Sequence, residues 1–279
     1  MQIIASLMSF QNKIIVITGA SSGIGKALAL GFLTQGAKVA LCARNLGKLQ
    51  EAFSDIDNNN LLLVAADVSQ ENDCKDFVQA VLEKWGAIDA LINNAGISMR
   101  ALFEEVELDV LRNLMDINFW GTVYMSKYAL PSILKSKGII TGISSIAGYR
   151  GLPARTGYSS SKFAMQGFLE SLRTEMLHTG VHVMWVSPGF TASNIRNTAL
   201  SASGDAQKET PLAEDKLMSA EECAERIIKA MTQRKRTVVM TTQGKLAVWL
   251  NKWIPSFVDK QVYNLFLKEP HSPLRKYHN

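Results

Sequence analysis

Short, continuous apolar runs alternate along this chain with longer stretches whose apolar residues recur every three or four positions. KIIVIT (13–18) is a β-branched run closed by a glycine-rich turn, the pattern of a strand buried on both faces. A helical pattern follows over about 25–35 and stops at Gly36. AKVALCAR (37–44) is a second strand and NLGKLQEAFSDI (45–56) a second helix. NLLLVAADV (60–68) and AIDALINNAG (87–96) are strands on either side of a helix over ENDCKDFVQAVLEKW (71–85). A long helix over about 101–134 leads to GIITGISSIAG (138–148), the fifth strand. Another over about 158–178 leads to VHVMWVSPG (181–189), the sixth. Strands alternating with helices need crossover connections, so the pattern predicts an α/β fold with a doubly wound parallel sheet in one domain.

Two segments stand outside the alternation. Residues 194–216 are polar and long for a loop, which marks a candidate substrate lid. Beyond Gly244 the run GKLAVWLNKWIPSFVDKQVYNLFLKE places Leu246, Trp249, Leu250, Trp253 and Phe257 at helical spacing, and Val258, Val262, Leu265 and Phe266 likewise. Pro255 separates the two helices. The organisation is therefore an N-terminal tail (1–11), a main domain (12–243) containing the lid, and an amphipathic C-terminal helical extension (244–279).

Composition narrows the class. The 279 residues are 47% hydrophobic and 20% charged, as in ordinary globular chains. No apolar run reaches the roughly 20 residues of a transmembrane helix. Three cysteines (Cys42, Cys74, Cys223), at no metal-like spacing, point to a reducing, cytoplasmic setting and to no metal. Of the net charge of +5, the last 36 residues carry +4, from Lys245, Lys252, Lys260, Lys268, Arg275 and Lys276 against Asp259 and Glu269. The near-neutral body argues against a nucleic-acid partner. The extension reads either as packing, on the body or between subunits, or as an apolar cover that also touches lipid, since aromatics and lysines together suit a membrane surface.

The candidate chemistry lies at the carboxyl ends of the strands, where doubly wound sheets bind ligands. TGASSGIG (18–25) ends the first strand and opens the first helix, a Rossmann-type arrangement. Its glycines let backbone approach a pyrophosphate, which a helix N-terminus favours. The spacing lacks the Gly-Lys-Ser/Thr of a nucleoside-triphosphate loop. YSSSK (158–162) sets Tyr158 beside Lys162 on one helix face, around three serines that are poor helix formers. An ammonium one turn from a phenol favours the phenolate, which suits proton transfer near neutrality.

Taken together and in order, TGASSGIG, Asp67 in ADV, NNAG (93–96), Asn118, Ser145 in ISSIAG, YSSSK and PGFTAS (188–193) resemble the classical short-chain dehydrogenases/reductases over about 12–240. The resemblance implies an oxidoreductase interconverting a ketone and a secondary alcohol, with Tyr158 as general acid or base and Asn118, Ser145 and Lys162 as its partners. Ser145 holds the substrate oxygen, with Ser144 the neighbouring candidate; Lys162 also holds the nicotinamide ribose. Asn118 kinks the long helix and holds a water that feeds protons towards Lys162. On the cofactor side the resemblance implies Gly19, Ser21, Ser22, Gly23, Ile24 and Gly25 at the phosphates. Asp67 and Val68 flank the adenine, Asn94, Ala95 and Gly96 the ribose, and Pro188, Gly189 and Thr191 the carboxamide, as do Tyr158 and Lys162 at the nicotinamide end. At the end of strand two the chain has Ala43 and Arg44 where NAD-selective enzymes place an acid, which selects NADP(H). The expected substrate is bulky, apolar and lipid- or steroid-like, rather than a small polar sugar or hydroxy acid. The assembly implied is a homodimer or homotetramer, with peripheral membrane contact through the extension. A catalytically idle nucleotide-binding sensor or scaffold of the same fold is the alternative.

Overall fold

The computed structural model describes residues 9–56, 59–189, 191, 195–207 and 217–278. Seven parallel strands form its sheet: β1 (Ile14–Thr18), β2 (Lys38–Ala43), β3 (Leu61–Ala65), β4 (Ala90–Asn93), β5 (Ile139–Ile143), β6 (His182–Ser187) and β7 (Thr237–Val239). Their spatial order is β3-β2-β1-β4-β5-β6-β7, so the chain winds outward one way to β3 and the other way from β4. The reversal lies between β1, registered by Ile14 on Lys38 of β2, and β4, registered by Ala90 on Ile15.

Alternate side chains of each strand enter opposite cores, which is why the strands read as unbroken apolar runs. Ile15 and Ile17 join Phe32, Leu49, Ile227 and Met231 on one face. Ile14 and Val16 join Phe77, Val81, Met125, Met165 and Leu169 on the other. The first face is covered by α1 (Gly23–Leu33), α2 (Leu46–Ala52) and α7 (Ala220–Thr232), the second by α3 (Glu71–Trp85), α5 (Gly121–Ser136) and α6 (Thr156–Glu175). Phe10, expected in the tail, is 1% exposed and meets Phe32 edge-on at 4.9 Å.

Two features differ from the sequence reading, the start and course of the long helix and the elements after the candidate lid. Residues 101–107 are not helical; α4 (Leu108–Met115) passes through a π-helical segment, Asp116–Trp120, into α5. A helix and a strand, α7 and β7, follow the lid. Ser219 caps α7 by accepting from the Glu222 amide, and Glu222 completes the Ser-x-x-Glu pattern of a capping box. The extension forms α8 (Thr242–Trp253) and α9 (Pro255–Leu267), divided at Pro255 as its sequence requires, with proline at the first helical position. Of its aromatics, Phe266 is buried while Trp249, Trp253 and Phe257 are 60%, 64% and 50% exposed. Of the lid, residues 194 and 208–216 lie outside the described residues, as do Phe190 and Ser193 of PGFTAS.

Candidate active site

The glycine loop is shaped by contact with the turn after β4. Gly19 has φ +66°, and a Cβ there would stand 2.7 Å from the Ala95 Cα. A Cβ on Gly25 would stand 2.4 Å from the Gly19 carbonyl and 2.5 Å from Asn94 Nδ2. Only glycine permits that approach and that φ. The Thr18 hydroxyl accepts from the amides of Asn94 (3.1 Å) and Ala95 (3.0 Å), while Asn94 Nδ2 donates to the carbonyls of Thr18 (2.9 Å) and Gly19 (3.0 Å). These bonds tie β1 to β4 at the switch point and leave the Ser21–Gly25 backbone opening α1, with Ser22 as its N-cap residue. Such a glycine-rich backbone cradle at a helix N-terminus fits a dinucleotide pyrophosphate.

Around that cradle, Arg44 is exposed one residue beyond β2. At the end of β3 the Asp67 carboxylate accepts from the Ser69 amide (3.0 Å) and hydroxyl (2.8 Å), which shapes its turn, and Val68 is buried. Pro188 and Gly189 follow β6; a Cβ on Gly189 would stand 2.4 Å from Thr241 Cγ2. Thr191 is buried and donates to the Gly189 carbonyl at 3.2 Å.

The three serines of YSSSK each have a partner, which is why α6 tolerates them. Ser159 accepts from the Leu152 amide (3.0 Å), Ser160 donates to the Thr156 carbonyl (2.9 Å) and Ser161 to the Tyr158 carbonyl (2.8 Å). Ser161 also accepts from Asn118 Nδ2 (2.9 Å), whose other donor goes to the Ile97 carbonyl (2.9 Å) and whose oxygen accepts from the Ile97 amide (2.8 Å). Fully buried Asn118 thus spends its whole amide on fixing the strand-four turn to α6. The π segment turns it to that task, as π bulges often do at functional sites.

Tyr158 hydrogen-bonds Ser145, the residue that opens the short turn after β5. Burial raises the phenol above its ordinary pKa, opposed by the Ser145 bond and by the Arg155 guanidinium. The Ser144 hydroxyl instead accepts from Gln166 at 2.8 Å, away from the phenol, so of the two serines Ser145 alone meets Tyr158. Lys162 is 3% exposed, and its Nζ stands 5.8 Å over the Tyr158 ring centroid. Burial pulls its pKa down to about 8. A Cβ on Gly96 would stand 3.0 Å from Asn118 Oδ1 and 3.3 Å from Lys162 Nζ, so Gly96 is what leaves that pair room.

The four residues expected to carry the chemistry therefore converge, and the cofactor residues form one rim at the carboxyl ends of β1 to β6. Three charged residues that sequence reasoning passed over sit close by: Arg100, Arg155 and, from the extension, Glu269. Among the described residues there is no cluster of three or more His, Cys, Asp or Glu that could hold a metal, and no helix long and apolar enough to cross a membrane. The three thiols are buried and unpaired with one another, with burial pushing Cys74 and Cys223 up to about 12.

The sequence model described as "short chain dehydrogenase" matches residues 13–203. A Drosophila melanogaster protein, "Dehydrogenase/reductase SDR family protein 7-like", is 35% identical over 252 residues, covering 88% of this chain and 77% of that one. The "11-beta-hydroxysteroid dehydrogenase A" of Sesamum indicum is 32% identical over 270 residues, covering 94% and 77%. Among solved structures, a short chain dehydrogenase/reductase from Burkholderia phymatum in complex with NAD superposes with a TM-score of 0.78 at 22% identity, covering 90% of this chain and 96% of that one. A short chain dehydrogenase from Burkholderia cenocepacia in complex with NADP gives 0.77 at 21%, covering 91% and 99%.

Proposed function

The chain belongs to the short-chain dehydrogenase/reductase family, and on that premise we propose that it interconverts a ketone and a secondary alcohol with NADP(H). The observation that carries the reading is the Tyr158 phenol, hydrogen-bonded to Ser145 and roofed by the Lys162 ammonium. NADPH, when bound, supplies the hydride. Tyr158 donates its phenolic proton to the substrate oxygen as general acid, and in alcohol oxidation takes it back. The Ser145 hydroxyl holds that oxygen where negative charge develops. Lys162 favours the phenolate that remains and reaches the nicotinamide ribose. The Asn118 amide is fully used on Ile97 and Ser161, and its backbone carbonyl accepts from the Thr122 hydroxyl, so Asn118 serves to hold the turn after β4 beside Lys162.

For the cofactor, the Gly19–Gly25 loop takes the pyrophosphate, Asp67 and Val68 the adenine side, Asn94 to Gly96 the ribose, and Pro188, Gly189 and Thr191 the carboxamide. The preference for NADP(H) rests on Arg44, an exposed cation next to the acid-free Ala43. The sites named here are those of one domain spanning about 12–243, with the extension beyond it.

A bulky apolar ketone, lipid- or steroid-like, is the substrate class we favour. Tyr158 packs with Ile97, Leu111 and Leu200 against the cluster of Met99, Val106 and Leu114, which offers an apolar wall beside the reacting groups. The sesame relative's name points the same way. The exposed Trp249, Trp253 and Phe257, among exposed Lys245, Lys252 and Lys260, suit contact with an anionic membrane surface from a cytoplasmic protein. Exposed Trp120 in the π segment and Phe163 on α6 suit pairing of subunits as a homodimer or homotetramer. The test is NADPH consumption over ketones from short-chain to steroidal, with Tyr158→Phe as control. No turnover with any of them sinks the reading.

A further inference from the structure

The last turn of the extension folds back over the start of the catalytic helix. Glu269 lies between two buried guanidiniums. Its carboxylate accepts from Arg155 Nη2 at 3.1 and 3.3 Å and pairs with Arg100 Nε at 3.4 Å. The three side chains are 11%, 14% and 8% exposed. Arg100 Nη2 also donates to the Pro270 carbonyl at 2.5 Å, and the Arg155 guanidinium lies 4.6 Å over the Phe266 ring. Leu102, Phe266 and Leu274 close an apolar patch beneath.

Both arginines belong to segments that shape the reacting centre. Arg100 sits in 97–102, whose Ile97 is held by Asn118, whose Arg100 amide donates to Leu200 (2.8 Å), and whose Ala101 amide donates to Ala154 (3.0 Å). Arg155 occupies the N-cap position of α6, three residues before Tyr158. Ala154 before it has φ +57°, an unfavourable conformation for alanine that the surroundings must impose. A buried ion triad is a weak source of stability, because desolvation offsets the attraction, but it enforces geometry.

We propose that Glu269 is a positioning residue of the active site. The C-terminal extension delivers its carboxylate between Arg100 and Arg155, and this clasp fixes the substrate-side segment 97–102 against the first turn of the Tyr158 helix. The extension is then part of the catalytic unit, acting on the ketone side and not on the cofactor side. This rests on the reductase reading above for its kinetic consequence, though not for its structural one.

The experiment compares full-length wild type, Glu269→Gln, Glu269→Asp and Lys276→Ala. The last removes a separate tether of the extension, to Glu104 and Glu105. In Glu269→Gln, kcat/KM for the ketone is expected to fall tenfold or more while NADPH Kd, by fluorescence, stays within twofold. Amide exchange in 97–103 and 152–160 should quicken, with 14–26 unchanged. Glu269→Asp should recover part of both effects, and Lys276→Ala should show neither. Should Glu269→Gln not fold, Arg155→Lys, which keeps charge but not the two-oxygen grip, carries the same expectation at smaller scale. A folded Glu269→Gln with unaltered ketone kinetics, with unchanged exchange in both segments, or with NADPH binding weakened in parallel overturns the proposal. If wild type reduces no ketone, the reductase reading falls and the exchange pattern alone judges the clasp.

Discussion

Lys162 Nζ stands 5.8 Å over the centre of the Tyr158 ring and donates its hydrogen bond to the Ile143 carbonyl at 2.9 Å. The ammonium is thus anchored to the end of β5, while the cation that favours the phenolate directly is the Arg155 guanidinium. The hydrogen bond that meets the phenol comes from Ser145.

Removing the phenolic hydroxyl should therefore remove the chemistry and little else. In Tyr158→Phe, turnover is expected to be lost while NADPH affinity stays within a few-fold. Ser145→Ala should cost about 100- to 1,000-fold in kcat, the usual loss for one donor at a developing oxyanion. Steady-state kinetics with direct cofactor titration checks both. Comparable kcat in Tyr158→Phe would end the assignment.

The pH dependence has a sign. Tyr158 is raised, so near neutrality it is a protonated acid, ready for reduction. Lys162 is lowered to about 8, so its charge is lost as pH rises through that value. Ketone reduction should be flat from about pH 6 to 7 and decline as pH passes through about 8. Alcohol oxidation, which needs the phenolate, should climb on the alkaline side until the same loss of charge limits it. The same burial acts on stability in the opposite sense. A lysine whose folded pKa lies below its unfolded one binds fewer protons when folded, so its contribution to stability grows from about pH 8 towards the ordinary lysine value. Reduction that accelerates beyond pH 8 would contradict the role given to Lys162.

Cofactor preference is tested at the end of β2. Wild type should bind NADPH more tightly than NADH. Arg44→Ala should weaken NADPH selectively, by roughly 1.5–3 kcal/mol for a lost charged hydrogen bond. Ala43→Asp should move preference to NADH by placing a carboxylate where a 2′-phosphate would be repelled. Isothermal titration with both nucleotides decides it; equal wild-type affinities would remove the argument from Arg44.

How far the sequence carried this picture depends on the range of the interactions. Most strands were legible because they are buried on both faces, β3 because its apolar run is continuous though only half-buried, and the ordered motifs because their glycines and polar residues mark strand ends. The β7 strand was missed since Thr237–Val239 is three residues long, too short for any periodicity. The α7 helix did leave a signal, the Ser219–Glu222 capping box before Cys223, Ile227, Ile228 and Met231. Residues 101–134 read as one helix because their apolar spacing is helical. The π segment that interrupts it arises from Asn118 reaching back to Ile97, a tertiary demand. Beyond local pattern altogether lies Glu269, since Arg155 is 114 residues away along the chain. Phe266, expected with the other extension aromatics, went instead beneath that clasp.

The remaining aromatics of the extension carry the last prediction. Leu246, Trp249, Trp253, Ile254 and Phe257 are 54%, 60%, 64%, 45% and 50% exposed within a dozen residues of one another. Large apolar side chains left in water at that density mark a surface with an occupant. Lys245, Lys252 and Lys260 are exposed among them, whereas Asp259 is already paired with Arg150. An anionic bilayer would gain about 1 kcal/mol from each lysine. Each aromatic that leaves water for the interface adds roughly 1.5–3 kcal/mol. The α8 helix begins beside the proposed site, with Thr241 against Gly189 and Gly244 against Ile146, so docking would turn the site's mouth towards lipid. The protein should therefore co-float with vesicles containing phosphatidylserine, and less with neutral ones. Trp249→Ala with Trp253→Ala should abolish flotation and lower kcat/KM for a long-chain ketone presented in vesicles, leaving a short, water-soluble ketone unaffected. Flotation that ignores both lipid charge and the two substitutions would assign this face to subunit packing instead.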